Sequence, residues 1–354
     1  MSWEDKVRKV EPYVPGEQPD AKDMIKLNTN ECPYPPAPAV KDCLWSMDYD
    51  RMRLYPNPDV LPLRKALAQY HGLDTEQVFV GVGSDDVIDM AFLTFFNSDI
   101  PVLFPEISYS FYKVWAELYR IPYATKPLDK DFHIVPADYK NANGGIIFPN
   151  PNAPTGVLES VDTVEEIIAA NPDSVVMIDE AYVDFAGEGA SVLPLIDRYE
   201  NLLVIRTFSK SRAMAGARIG YCMGSRKLIS CLEAVKFSVN SYTMNTPAIE
   251  MGVVSVKDDA YFKEIIGRIV NTRERMKKEL KALGFSMPDG KGNFVFAKHE
   301  KIPAKKIYTA LRERNIFVRF FDTPLLNDRL RITVGTDEEA DRLMAALKEI
   351  VEGA

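Results

Sequence analysis

Three short segments place residue types that can do chemistry where strands of a sheet would end. In Ile178-Asp179-Glu180-Ala181-Tyr182 an apolar run delivers a carboxylate. Open α/β sheets bind ligands outside the carboxyl ends of their strands. A carboxylate there can hold a proton on a heteroaromatic nitrogen, because an ionised acid favours a charged partner at short range. In Arg206-Thr207-Phe208-Ser209-Lys210 a lysine stands at a similar position, followed by Ala215-Gly216-Ala217-Arg218-Ile219-Gly220. Such a lysine forms a Schiff base with a carbonyl cofactor when burial or a nearby cation lowers its pKa. The hydroxyls of Thr207 and Ser209 and the guanidinium of Arg218 would make a phosphate cradle beside it. In Gly81-Val82-Gly83-Ser84-Asp85-Asp86 a helix N-terminus offers backbone N–H groups to an anion, and glycine lets that anion approach. The carboxylates of Asp85 and Asp86 suit the helix dipole but repel a phosphate unless they point away. Plainer readings stand beside these: a tight turn, a helix cap, and a Ser-x-Lys that means little alone.

Composition narrows the chemistry. The 354 residues carry 43 Lys+Arg against 51 Asp+Glu, a net charge of -8, so there is no basic field for a nucleic acid. The 46% hydrophobic and 27% charged residues are those of a globular chain. Three histidines and four cysteines, with no CxxC or HxxxH spacing, imply no metal cluster and no disulfide framework. No signal-peptide core and no long apolar run is visible, so the expected location is the cytoplasm, away from membranes.

The elements that must position these residues follow from periodicity. Val60, Leu63, Leu67 and Tyr70 predict a helix, 78–80 a strand, and Ser84 the N-cap of a helix to about Asn97. Short apolar runs at 102–104, 145–148, 175–178 and 202–205, with helices near 108–119 and 159–170 between some of them, predict a mostly parallel sheet covered on both faces. The pattern then changes: a long helix through 265–283, strands at 293–298, 316–321 and 330–334, and a closing helix through Ala340, Leu343, Leu347 and Ile350 predict a smaller α+β unit. The proline-rich stretch 11–38 predicts an extended arm. The expected division is 1–44 for the arm and part of the small domain, 45–245 for the large domain, and 246–354 for the small one.

In order along the chain, Pro151 to Gly156 (PNAPTG), 179–182 (DEAY), 207–210 (TFSK), 216–221 (GARIGY) and 329–335 (RLRITVG) resemble the fold-type I pyridoxal-phosphate aminotransferases. PYVPG at 12–16, KLNTNECPYPPAP at 26–38, LYPNPD at 54–59 and GVGSDD resemble the histidinol-phosphate aminotransferase branch, over nearly the whole chain. The resemblance implies an α/β large domain, with a mostly parallel sheet sandwiched by helices, and a small α+β domain built from the arm and the C-terminal third. It implies pyridoxal 5′-phosphate as cofactor, with Lys210 as the Schiff-base lysine and proton carrier, Asp179 on the ring nitrogen, Tyr182 on the phenolic oxygen and Tyr109 stacked on the ring. The cofactor phosphate would lie among the Ser84 and Asp85 amides, Thr207, Ser209 and Arg218, joined by Tyr55 from the partner of a homodimer. One position departs from the family: Ala153 stands where an asparagine usually precedes Pro-Thr-Gly, so either Asn152 takes its role or Tyr182 holds the phenolic oxygen with less help.

For the substrate, the resemblance implies Arg331 and Arg319 as anion ligands, with Tyr13 and Asn30 as pocket walls. Two guanidiniums suit a phosphate monoester. The expected reaction is transamination between L-histidinol phosphate and 2-oxoglutarate, in histidine biosynthesis. The rivals on the same scaffold are an aromatic amino-acid aminotransferase and a threonine-phosphate decarboxylase; a non-catalytic ligand-binding module is the rival of another class, and a nicotinamide dehydrogenase is disfavoured because Asp86 stands where a dinucleotide fingerprint needs its third glycine.

Overall fold

In the computed structural model, which describes residues 2–20 and 22–353, the chain forms β1 (Ile25–Leu27), α1 (Pro38–Trp45), α2 (Leu61–His71), β2 (Val78–Gly81), α3 (Ser84–Phe95), β3 (Val102–Pro105), α4 (Phe111–Tyr119) and β4 (Tyr123–Lys126). It continues through β5 (Ile146–Pro149), α5 (Val161–Ala169), β6 (Val176–Asp179), β7 (Leu202–Thr207), β8 (Gly220–Gly224), α6 (Arg226–Val239), α7 (Thr246–Lys257) and α8 (Asp259–Ala282). The last elements are β9 (Phe285–Ser286), β10 (Phe294–His299), α9 (Ala304–Arg312), β11 (Ile316–Phe320), β12 (Leu330–Thr333) and α10 (Asp337–Glu352). No helix among the described residues is long and apolar enough to cross a membrane.

Seven strands build the large sheet in the order β2-β8-β7-β6-β5-β3-β4. All neighbours run parallel except β8, which is antiparallel to both β2 and β7. Both faces are covered. Val176, Ile178 and Val204 face one apolar core while Met177, Leu203 and Ile205 face another, the period-two alternation of a strand buried on both sides. That double burial is why these strands read as unbroken apolar runs.

The small sheet has the order β1-β11-β12-β10-β9, with β1 parallel to β11 and the other pairs antiparallel. Its core takes Ile269 and Met276 from α8, Ile307 and Leu311 from α9, and Leu343 and Leu347 from α10. The arm ties the two units together. Tyr13 stacks on Phe111 of α4 at 4.5 Å, Glu17 pairs with Arg312 of α9 at 2.7 Å, and the Asn28 amide donates to the Glu17 carbonyl at 2.7 Å.

Several expectations are corrected. Ser84 is the first helical residue of α3 and not its N-cap; Gly83, at φ 92°, takes that position. Asp86 instead ties off the turn, its Oδ2 accepting the Val82 N–H at 2.8 Å. The strands β1, β4, β8 and β9 and the helices α1, α6, α7 and α9 were not anticipated. Helix α7, assigned by sequence to the small unit, contributes Ala248, Ile249 and Val256 to the core on one face of the large sheet, together with Val40 of α1. The apolar packing therefore divides between α7 and α8 rather than at 245.

Candidate functional site

Strand β6 ends in Asp179, which is 5% exposed. Tyr112 of α4, fully buried, donates its hydroxyl to Asp179 Oδ2 at 2.9 Å, and the Ala181 N–H reaches Oδ1 at 3.1 Å. Burial dominates these two bonds and pushes the carboxyl up to about 6. No cation among the described residues pairs with it. Its neighbour Glu180 points the other way, into a pair with Arg206 at 2.9 Å that Ser191 and the Val192 N–H complete.

The loop after β7 presents Thr207, Ser209 and Lys210. Thr207 Oγ1 accepts the Ser209 N–H at 3.1 Å, closing the turn that aims Lys210 away from the sheet. Lys210 Nζ donates to the Thr29 carbonyl at 3.0 Å and lies 5.8 Å from the Tyr182 ring centroid. Beside it, α3 begins with N–H groups that have no intrahelical acceptors. Two glycines shape this place. A Cβ on Gly83 would lie 2.5 Å from Arg218 Nη2, and one on Gly220 would lie 2.1 Å from the Ser84 nitrogen, so any side chain at either closes the gap between helix, strand and guanidinium. Arg218 is half-exposed, at φ 54°, and its one carboxylate contact is Asp85 at 3.4 Å. Asp85 is held back by the Tyr109 hydroxyl, which donates to its Oδ1 at 2.8 Å.

Tyr109 is thereby anchored at the mouth of α4, with Tyr13 of the arm 6.5 Å from its ring. Asn152 donates to the Ile107 carbonyl at 3.0 Å, and its Oδ1 is buried without a partner. One amide hydrogen of Asn152 is left over as well. Ala153 packs in the apolar core that holds Phe185 and Phe294, where an asparagine would bury an amide. Tyr55 lies elsewhere: it is 82% exposed, stacks on Tyr242 at 4.6 Å, and lines an outer cleft of about 380 Å³ with Ile249 and Val253.

Arg319 and Arg331 are directly opposite one another in the antiparallel β11–β12 register. Like charges so placed repel, yet neither has a carboxylate partner among the described residues. Arg331 Nη2 donates to the Asn28 carbonyl at 3.0 Å, its Nε is buried without a partner, and burial lowers its pKa. Asn30 donates to the Tyr182 hydroxyl at 3.0 Å. Three successive residues of the arm, Asn28, Thr29 and Asn30, thus hold Arg331, Lys210 and Tyr182 in turn. Sequence reasoning named Asn30 alone of the three. It also missed Tyr112, whose only signal was its spacing of three from Tyr109.

These donors fit a pyridoxal phosphate. A buried carboxylate without a cation suits a protonated ring nitrogen, the glycine-lined helix N-terminus beside Arg218 suits the phosphate, and Lys210, over the Tyr182 ring, suits the aldehyde carbon. The fold and this set of side chains define the pyridoxal-phosphate-dependent transferases of fold type I. The chain belongs to the aminotransferase class I and II family, which it matches over residues 22–347. A histidinol-phosphate aminotransferase of Lactococcus lactis subsp. cremoris is 49% identical over 352 residues, covering 99% of this chain and 98% of the relative. One of Brachyspira hyodysenteriae is 46% identical over 98% of both chains. Among solved structures, histidinol-phosphate aminotransferase from Sinorhizobium meliloti in complex with pyridoxal-5′-phosphate superposes with a TM-score of 0.84 at 25% identity, over 93% of this chain and 91% of that one.

Proposed function

We propose that this protein exchanges an amino group between L-histidinol phosphate and 2-oxoglutarate, giving imidazole-acetol phosphate and L-glutamate, with pyridoxal 5′-phosphate as cofactor and histidine biosynthesis as its pathway. The observation that carries the substrate is the facing pair Arg319 and Arg331, two guanidiniums without carboxylates at a strand register that brings them side by side. A phosphate monoester, with oxygens for two bidentate forks, relieves their repulsion better than a single carboxylate does.

The cofactor, when bound, supplies an aldehyde carbon that takes the amino group and a ring that accepts the electrons released at the substrate Cα. Asp179 would face the cofactor's ring nitrogen and hold a proton there; burial raises its own pKa, and a cationic partner would offset that cost. Lys210 would be the amine that takes the proton from the substrate Cα and returns it, and the Thr29 carbonyl holds that amine in place. Tyr182, and Asn152 through its remaining amide hydrogen, would donate to the cofactor's phenolic oxygen. Tyr109 would cover the ring face, and Tyr13 and Asn30 would wall the substrate pocket. The Ser84 and Asp85 amides, Thr207, Ser209 and Arg218 would hold the cofactor phosphate.

The active form in this reading is a cytoplasmic homodimer, in which Tyr55 reaches the neighbouring cofactor phosphate. Its support is the exposure of three large aromatic side chains close together in sequence, Trp45, Tyr49 and Tyr55, at 80–82%. Two assays separate the rivals: kcat/KM for histidinol phosphate against phenylalanine, and CO2 release from threonine phosphate. The reading expects histidinol phosphate to lead and no CO2; a preference for phenylalanine removes the substrate assignment.

A further inference from the structure

The hydroxyl of Tyr182 is 8% exposed with its ring and has one partner among the described residues, the Asn30 amide nitrogen, from which it accepts. Its own hydrogen therefore has no acceptor among the described residues. Whether that hydrogen stays free depends on which way round the Asn30 amide sits, and a second residue decides this. Thr333, at the end of β12 and 2% exposed, accepts the backbone N–H of Asn30 at 3.0 Å. Its hydroxyl hydrogen goes to Asn30 Oδ1 at 3.1 Å. The one donor hydrogen of Thr333 is used on the amide oxygen, and with that oxygen on Thr333 the NH2 group faces Tyr182. Asn293 secures the same turn by donating to the Asn30 carbonyl at 3.0 Å, and Asn30 itself sits at φ 56°, a conformation that asparagine tolerates.

We propose that Thr333 and Asn30 are positioning residues that set the Tyr182 hydroxyl as a donor into the site, by holding the Asn30 amide in the one orientation that leaves the tyrosine hydrogen uncommitted. Neither acts on substrate in this role. Were the amide reversed, Oδ1 would take the tyrosine hydrogen and Tyr182 would cease to donate. Because Thr333 lies two residues beyond Arg331 on the same strand, the device also ties the direction of that hydrogen to the strand carrying the substrate cation.

The proposal rests on the pyridoxal-phosphate reading, in which Tyr182 donates to the cofactor's phenolic oxygen. A donor there drains negative charge that would otherwise hold the proton on the neighbouring Schiff-base nitrogen, so losing it raises the pH at which the visible band titrates. The charged groups facing Tyr182 are Lys210 from the β7 loop and Arg331 from β12; Thr333→Val alters the charge of neither.

The experiment is a spectrophotometric pH titration of the cofactor-loaded protein. Thr333→Val is expected to raise the midpoint by about 0.5–1 pH unit, the order of one neutral hydrogen bond, and Thr333→Ser to restore the original value. In a Tyr182→Phe background, Thr333→Val is expected to produce no further shift. An unchanged or lowered midpoint in Thr333→Val, or the same shift with and without Tyr182, overturns the proposal. Should Thr333→Val fail to fold, Asn30→Asp replaces it: its shift is expected to be larger with Tyr182 present than in Tyr182→Phe, and equal shifts overturn the proposal. A protein that gives no visible band on loading contradicts the cofactor reading itself, whereas a normal band with an unmoved midpoint contradicts only the amide relay.

Discussion

Asp179→Asn should strengthen the cofactor-free protein while weakening its hold on the cofactor. The carboxyl is 5% exposed and burial lifts it from an ordinary 3.8 to about 6. Since the folded state holds this proton more tightly than the unfolded one, stability is greatest below about pH 4 and is lost as pH rises through about 6. At about 1.36 kcal/mol per pH unit, that difference of about 2 makes the ionised group cost about 3 kcal/mol at pH 8. Asparagine keeps an oxygen for the Tyr112 hydroxyl but presents an NH2 to the Ala181 N–H, losing one hydrogen bond worth about 1 kcal/mol. The net gain is about 2 kcal/mol at pH 8. Urea unfolding of cofactor-free wild type and variant at pH 8 and pH 4 reads it directly. At pH 4, where the folded carboxyl is protonated, the gain should be gone and the lost hydrogen bond should leave the variant less stable by up to about 1 kcal/mol; with cofactor bound the pH 8 gain should reverse, because the ring cation no longer has its acid. A variant that is equally destabilised at both pH values would refute the reasoning, since the carboxylate would then not be a strained, cation-seeking group.

Other substitutions test the remaining parts of the site. Tyr112→Phe removes the hydroxyl donor from Asp179 and should extend the pH-dependent loss of stability of the cofactor-free protein upward by about one pH unit, read in the same unfolding series. Arg319→Ala should lower kcat/KM for histidinol phosphate about 10–100-fold and that for phenylalanine much less, the loss of a charge-assisted contact to phosphate; equal losses would place Arg319 outside phosphate recognition. Gly83→Ala forces a Cβ to within 2.5 Å of the Arg218 guanidinium at φ 92° and should weaken cofactor binding at least about tenfold, as an absorbance titration of the cofactor-free protein would register.

What the sequence made legible was whatever repeats locally. Asp179 and Lys210 could be named because each follows a short apolar strand whose end is a place for ligands, and the double burial of Ile178 and Val204 makes those strands conspicuous. The Asp179–Tyr112 bond spans 67 residues and the Asn30–Thr333 bonds span 303, so no periodicity announces them; they exist because β1 joins the small sheet beside β11 and delivers 28–30 to β12. Strand β8 escaped notice because Gly220 and Gly224 bracket it and read as turn residues, although both have their backbones against a neighbour that a Cβ would strike. Ser84 was misplaced by one because serine is the commoner cap, whereas only glycine takes φ 92° there without strain.

A chain of net charge -8 can hold two phosphates only if its acids near the site are already engaged. Each is. Asp85 accepts from Tyr109 and meets Arg218, Asp86 caps the Val82 N–H, and Glu180 is enclosed by Arg206, Ser191 and the Val192 amide. Among the described residues Asp179, at the strand end where a ligand would lie, meets no cation, and Arg319 and Arg331 face each other without acids. The same chain therefore carries one buried negative position and one doubled positive position that its own residues do not neutralise, and both lose their electrostatic cost when cofactor and phosphate substrate arrive together. The folded protein is correspondingly under strain when empty, and its stability should rise more on binding both than the sum of the two alone, because the Asn28–Thr29–Asn30 stretch touches Arg331, Lys210 and Tyr182 at once.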